Sequence, residues 1–224
     1  MTLKFIIILV VLIILICLNI KVREGFDNSK NNIDNSNLNI IIPVRDREKD
    51  LKEYLENMVP ILEEQNINYK IFIIEQSHNK KLFNKAKINN IGFIESSKNN
   101  NFNRFLFNDV DNFPLKKKFI DFKMDIRGVH HFFGQVYCIG GIYLFSKNDY
   151  KKINGFSNDF YGWGGEDEDL LFRINNFSIK ILRDVFVSRK DNKKLKIISD
   201  DSTMWKHRQK KENLKDFLNN KRNM

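Results

Sequence analysis

Tyr161-Gly162-Trp163-Gly164-Gly165-Glu166-Asp167-Glu168-Asp169-Leu170 is a glycine-rich turn that opens directly into an acidic helix start. The glycines let the backbone reverse sharply and lie close to a ligand. Between them Trp163 offers a flat apolar face with one donor, which suits the face of a sugar ring. Carboxylates in the first turn of a helix sit at the positive end of its dipole, and Leu171, Phe172 and Ile174 then continue the helix. Crowded like charges raise one another's proton affinity, which is how a carboxylate becomes basic enough to take a hydroxyl proton. An acidic helix start after a glycine turn is also common without any site. The tryptophan held between glycines favours a functional reading.

On either side of this turn the pattern alternates between strands and helices. Leu38 to Ile42 reads as a short apolar strand that stops at Pro43. Leu51, Tyr54, Leu55, Met58, Val59 and Leu62 recur at helical spacing, with Asp46 as a candidate cap. Tyr69 to Ile74 predicts a second strand, Phe83 to Ile94 a second amphipathic helix, and Arg104 to Phe107 a third strand. Val136 to Phe145 predicts another strand, and Lys147 to Ile153 a helix. Ile179 to Leu182 and Val185 to Val187 are strand-like. This alternation argues for an α/β domain with a mixed, mostly parallel sheet flanked by helices. Ligands gather at the carboxyl ends of the strands in such sheets.

The 224 residues allow one ordinary domain plus an appendage. The net charge of +10 raises nucleic acid, anionic lipid or a phosphorylated ligand as partners. Much of the excess lies in the tail from Lys206 to Arg222 and in pairs such as Lys193-Lys194, where solvated surface accounts for it. No nucleic-acid partner is expected. Cys17 and Cys138 lie in unrelated segments, so an intrachain disulfide is not expected. Phe5 to Ile20 is an almost unbroken aliphatic run between Lys4 and Lys21. About 16 residues at ~1.5 Å each span about 24 Å, short of a ~30 Å bilayer core, and flanking Lys and Arg can snorkel. A cleaved signal peptide is the rival, but no small-x-small cleavage site follows. The expected organisation is a membrane anchor at 1–22, a short disordered stem at 23–37 and a catalytic domain at 38–224. The anchor is expected to be a single-pass, type II-like signal anchor in a Golgi or ER-type secretory membrane.

Three further clusters carry chemistry. Asp109-Val110-Asp111 follows a buried-looking strand, where one carboxylate can reach a ribose or backbone group while the other ligates a cation bridging a pyrophosphate. Pro43-Val44-Arg45-Asp46-Arg47 places two arginines at a strand-to-helix turn, where they can hold a nucleotide and its phosphates or merely solubilise the surface. Met204-Trp205-Lys206-His207 contains an imidazole and a thioether three residues apart, read from the residues alone as neighbours in a helix or loop.

Taken in order, these pieces resemble the β-1,4-galactosyltransferase family of metal-dependent inverting transferases with the GT-A fold. The resemblance runs from about Leu38 to Lys211. Ile42-Pro43-Val44-Arg45-Asp46-Arg47 resembles the family's donor-binding turn, with Val and Asp replacing Phe and Asn. Phe83-Asn84-Lys85-Ala86-Lys87 and Ile91-Gly92-Phe93 are similar to its second helix, with Lys85 replacing Arg. Asp109-Val110-Asp111 is identical to its metal motif, and Gly140-Gly141, Ile153-Asn154-Gly155-Phe156 and Gly162-Trp163-Gly164-Gly165-Glu166-Asp167 match as well.

The resemblance implies roles residue by residue. Asp111, Met204 and His207 would bind a divalent cation, Mn²⁺. Pro43, Arg45, Arg47, Phe83, Lys85, Asp109, Val110 and Trp163 would hold the UDP-sugar donor. Asp167 would be the general base, and Gly165, Glu166 and Glu168 would join it around the acceptor. Glu168 stands where the family usually has Asp. Cys138 stands where a tyrosine commonly limits room beside the donor's 2-substituent, and a cysteine there would admit an N-acetyl group. The implied partners are a UDP-sugar and a glycan or glycoconjugate acceptor, with the membrane reached through the N-terminal helix. The implied activity is inverting transfer of galactose or N-acetylgalactosamine to a glycan hydroxyl. A chondroitin-type N-acetylgalactosaminyltransferase and an inactive, membrane-tethered glycan-binding relative are the alternatives.

Overall fold

The structure, a computed structural model, describes residues 20–27, 37–78, 80–98, 102–188 and 195–197. Its framework is a sheet whose central strands are apolar on both faces and covered by helices on each side. β2 (Asn37–Val44), β3 (Asn68–Gln76) and β4 (Arg104–Asn108) are parallel, with β2 in the middle. β7 (Ile142–Ser146) joins β4 antiparallel, and β6 (Val129–Gly134) joins β7 antiparallel. Two short strands, β8 (Ile181–Leu182) and β9 (Val187–Ser188), pair parallel with β6. β10 (Leu195–Ile197) pairs antiparallel with β5 (Asn112–Pro114) in a separate ribbon. The sheet is therefore mixed: its parallel core is β3-β2-β4, and antiparallel pairing dominates around β7.

Strand alternation decides which helix covers which face. Leu38, Ile40 and Ile42 of β2, Tyr69, Ile71 and Ile73 of β3, and Leu106 of β4 share one core with Tyr54, Met58, Ile61 and Leu62 of α1 (Glu48–Glu64). Ile41, Phe72, Ile74, Phe105 and Phe107 point the other way. They meet Ala86, Ile88 and Phe93 of α2 (Lys85–Ser96), Tyr150 of α3 (Lys147–Lys152), and Leu170 and Ile174 of α4 (Glu166–Asn176). Tyr150 stacks on Phe107 at 4.7 Å between centroids and tilts against Phe93 at 4.4 Å. Gly92 lets α2 lie close against β2, because a Cβ there would overlap Ile41 Cγ2.

Several boundaries differ from the sequence reading. β2 continues through Pro43 to Val44, in register with Ile74 and Glu75 of β3. Asp46 does not cap α1. The cap position is Arg47, Asp46 has a left-handed φ of 56°, and its carboxylate lies 2.7 Å from His78 Nε2. The segment expected as a strand from Val136 is a loop as far as Gly141, with Val136 and Tyr137 largely exposed. The strand the sequence reading missed is β6, just before it. The glycines explain the break, since Gly134 and Gly141 have φ of 149° and 82°.

β1 (Ile20–Asp27) pairs antiparallel with β3 at the sheet edge, across residues that the sequence reading divided between anchor and stem. An open edge of backbone N–H and C=O groups on β3 explains why a polar segment pairs there. Among the described residues no helix is long and apolar enough to cross a membrane. The run from Phe5 to Asn19 lies outside the described residues.

Candidate active site

The three parallel strands all end at one cavity of about 540 Å³. From the end of β2 and the turn after it come Pro43, Arg45 and Arg47; from the turn after β3, Phe83, and from the start of α2, Lys85; from the turn after β4, Asp109, Val110 and Asp111. The loop before β7 adds Cys138, the turn before α4 adds Trp163, and the start of α4 adds Glu166, Asp167 and Glu168. Residues scattered over more than a hundred positions thus meet at the carboxyl ends of the parallel strands, as this sheet type predicts. Gly165 does not line the cavity; it is the buried cap residue of α4, with φ of 92°. Met204 and His207 lie outside the described residues.

Lys85 is the electrostatic centre of the site. Its Nζ lies 2.9 and 3.0 Å from the two oxygens of Asp167, 3.4 Å from Asp109 Oδ1 and 3.5 Å from Glu166 Oε1. Burial works against its ammonium, but Asp109, Asp167 and Glu166 outweigh that and hold the proton well above the ordinary lysine range. One cation cannot neutralise three carboxylates. Burial raises the proton affinity of Asp167 well above the usual carboxylate range, with Lys85 opposing and Glu166 and Asp109 adding to the rise. The side chain is still one-fifth exposed, at 20%, so a hydroxyl can reach it. Asp109 is raised for the same kinds of reason.

The four consecutive carboxylates of α4 do not act as a single patch. Glu166 and Asp167 face Lys85. Glu168 Oε2 accepts from the Gly165 N–H at 3.2 Å, closing the helix start, and Asp169 accepts from Arg173 Nε at 2.6 Å one turn on. Only the first two are arranged for chemistry with the basic group of the cavity.

Each arginine of the β2 turn is committed differently. Arg45 sits over the Phe83 ring at 5.4 Å and donates to the Lys81 carbonyl at 2.9 Å. Arg47 donates to Asp111 Oδ2 at 2.9 Å and pairs with Asp50. The other Asp111 oxygen accepts from Asn112 Nδ2 at 2.8 Å. Asp111 is thus a nearly buried carboxylate on the cavity wall, held by two donors and able to offer hard oxygen to a divalent cation. That chemistry fits the ion the sequence reading implies. Among the described residues no set of three His, Cys, Asp or Glu side chains converges to hold a metal, and the two other expected ligands lie outside them.

The loops that carry the site are tied to one another. Asn84 Oδ1 caps α2 by accepting from Lys87 N at 2.8 Å, while its own N–H donates to Gln76 Oε1 at 2.8 Å. Gly162 N donates to the Phe83 carbonyl at 2.8 Å, linking the tryptophan turn to the Phe83 turn. Trp163 itself is 45% exposed at the cavity mouth. Cys138 is buried in the wall, and burial with Asp167 and Glu168 nearby pushes its thiol up to about 12, so it is a neutral lining group. Gln135, which lines the cavity together with Tyr137, was missed in the sequence. Gly134 and Gly140-Gly141 bracket that segment, and this was the signal for a loop rather than a strand.

A parallel core feeding a basic and acidic cavity defines the class: an α/β domain with a ligand site at its strand ends. The chain matches the N-terminal region of glycosyl transferase group 7 over residues 18–120 and the N-terminal domain of galactosyltransferase over residues 123–196. It belongs to this galactosyltransferase family, with the two matches running almost unbroken through both halves of the fold. It is 38% identical over 153 residues to human β-1,4-galactosyltransferase 4, covering 64% of this chain and 44% of that protein. It is also 38% identical over 154 residues to mouse β-1,4-galactosyltransferase 1, covering 64% of this chain and 38% of that protein. The chain thus spans less than half the length of these curated relatives. The catalytic domain of Drosophila β1,4-galactosyltransferase 7, solved with xylobiose, shares the fold at a TM-score of 0.64 and 24% identity. That alignment covers 75% of this chain and 72% of the other. The mixed α/β architecture expected from the resemblance is therefore present.

Proposed function

We propose that this protein transfers a hexose, galactose or N-acetylgalactosamine, from a UDP-sugar to a hydroxyl of a glycan, with inversion at the anomeric carbon. The observation that carries the reading is the convergence of Arg45, Arg47, Phe83, Lys85, Asp109, Asp111, Trp163 and Asp167 around one cavity. Arg45, already stacked on Phe83, and Arg47 present guanidinium groups suited to a nucleoside diphosphate. Trp163 offers its exposed ring to the sugars. Asp167 takes the acceptor's proton as the acceptor oxygen bonds to the anomeric carbon and the bond to the UDP oxygen breaks. A single displacement inverts the configuration.

Lys85 serves both sides of this reaction. While paired with Asp167 it lowers the base's proton affinity, and a diphosphate in the cavity would compete for its ammonium. Asp111, with Met204 and His207, would hold the cation, for which Mn²⁺ suits an oxygen, nitrogen and sulfur donor set. The bound ion would supply charge stabilisation to the departing diphosphate. The apolar run beginning at Phe5 is read as a single-pass anchor in a secretory membrane, leading into β1 and the rest of the catalytic domain. The test is a donor screen on the detergent-solubilised protein, recording UDP release with acceptor sugars, with Mn²⁺ and with a chelator. Acceptor-dependent release that stops in chelator and returns with Mn²⁺ supports the reading. Absence of turnover with every donor, alongside retained glycan binding, would favour an inactive relative.

A further inference from the structure

The peptide between Gly140 and Gly141 touches both acidic groups of the site, and its orientation depends on a buried histidine outside the cavity. On one side the Gly141 N–H donates to Asp109 Oδ2 at 3.2 Å, and the Gly141 carbonyl accepts from the Asp109 N–H at 2.9 Å. On the other, the Ile139 N–H donates to the Asp167 carbonyl at 3.0 Å, and a Cβ on Gly140 would overlap Asp167 Oδ2. Two successive glycines give this segment more backbone freedom than any other pair of residues. A flipped peptide would aim a carbonyl oxygen at the Asp109 carboxylate and remove one of its donors.

His131 opposes that flip. It is 1% exposed and lies at the bulge in β6, where the register with β7 shifts between His131 and Phe133. Its Nε2 is 3.0 Å from the Gly140 carbonyl oxygen, and its Nδ1 is 3.2 Å from Arg183 Nε. A guanidinium can only donate, so Nδ1 must carry the lone pair and the proton must sit on Nε2, where it is donated to Gly140. Arg183 thereby selects the tautomer that holds the peptide. The Phe186 ring packs on the imidazole at 4.8 Å. Gly134 leaves the space bare: a Cβ there would overlap the Gly140 oxygen and lie 2.7 Å from His131 Nε2. Burial pushes this imidazole down to about 4, so it stays neutral at ordinary pH.

We propose that His131 is a positioning residue, which, with its tautomer selected by Arg183, holds the Gly140–Gly141 peptide so that its N–H faces Asp109 and its Gly140 face receives Asp167. Its effect on catalysis rests on the transferase reading above; its effect on the peptide does not. The test uses the full-length protein in detergent and three variants: His131→Phe, His131→Gln and Arg183→Met. The ¹⁵N imidazole spectrum should show a single Nε2–H tautomer in the wild type and a mixture in Arg183→Met. Exchange of the Gly141 amide should accelerate by about tenfold or more in His131→Phe and Arg183→Met. His131→Gln, whose side-chain N–H can reach the same carbonyl, should restore slow exchange. The kcat for UDP-sugar should follow the same order, falling about tenfold in His131→Phe and recovering in His131→Gln. An Nδ1–H tautomer in the wild type, or unchanged Gly141 exchange in Arg183→Met, overturns the proposal, and the second outcome decides it even if His131→Phe fails to fold. Equal loss in His131→Gln and His131→Phe reduces the residue to a packing role and also overturns it. A wild type with no turnover sinks the transferase reading instead, and the imidazole and amide measurements still judge the positioning.

Discussion

Lys85 stands against three carboxylates, and this imbalance makes Asp167 the most informative single residue. Its raised proton affinity means that the folded protein gives up this proton at a higher pH than the unfolded chain, which releases it at about 3.8. The associated stability is full below that value and is lost as pH rises through the raised value of the folded state. Asp167→Asn removes that loss, so its thermal midpoint should rise relative to the wild type's by a margin that widens as pH increases from about 4 through the raised value of the folded state. Turnover should meanwhile fall by about two orders of magnitude or more, with UDP binding retained. A variant that keeps near-normal turnover would move the base to Glu166, the other carboxylate facing Lys85. Cys138 supports a second prediction at this scale. It lies in the cavity wall where the resemblance implies a tyrosine, and a thiol is far smaller than a phenol. Cys138→Tyr should shift the kcat/KM ratio toward UDP-galactose and away from UDP-N-acetylgalactosamine, by an amount equivalent to ~1–3 kcal/mol. An unchanged ratio removes Cys138 from donor choice, and Tyr137 beside it becomes the candidate.

Among the elements, α2 is the one whose packing and function are most tightly joined. It carries Lys85 at its first position and lies against β2 and β3 through Ala86, Ile88, Gly92 and Phe93. Gly92→Ala inserts a methyl group where Ile41 Cγ2 already sits, so either the helix or the β2 side chain must move. The expected cost is about 1–3 kcal/mol in urea unfolding, with the slope unchanged. Because Lys85 moves with the helix, donor KM should rise as well. Full stability in the variant would mean that the sheet face accommodates the methyl group. By contrast, α4 is stabilised at its start by its own residues, Gly165 and Glu168, which frees Glu166 and Asp167 to face the cavity.

At the scale of the molecule, the cavity forms where three parallel strands end, and the antiparallel half of the sheet supplies its far wall. The apolar segment from Phe5 is remote from this arrangement in sequence, though β1 begins directly after it and closes the edge of the sheet beside β3. If that segment anchors the chain, the full-length protein should remain with membranes through carbonate extraction. A chain starting at Ile20 should be recovered in the soluble fraction with its sheet edge intact. A mature N-terminus near Lys21 on the full-length protein would instead identify a cleaved signal.

The sequence by itself determined the residues that chemistry needs and the alternation that sets them at strand ends. Asp109-Val110-Asp111 after an apolar strand, and Glu166-Asp167 after a glycine turn, are local patterns, so their placement was legible without coordinates. The helix opened by Glu166 and the strand before Asp109 were likewise visible, because both depend on short-range periodicity. What the sequence could not carry was long-range pairing. Nothing local to Lys85 says that its ammonium will meet a carboxylate 82 residues away. Nothing local to His131 says that it will hold the peptide before Gly141. The strand misread from Val136 is a different case: Gly134, Gly140 and Gly141 were a local signal for a loop, in which Tyr137 and Cys138 line the cavity instead of filling a sheet. Only the tertiary structure decided which of four consecutive carboxylates face the lysine, because Lys85 comes from another element and meets Glu166 and Asp167, while Glu168 turns back to the Gly165 N–H and Asp169 pairs with Arg173.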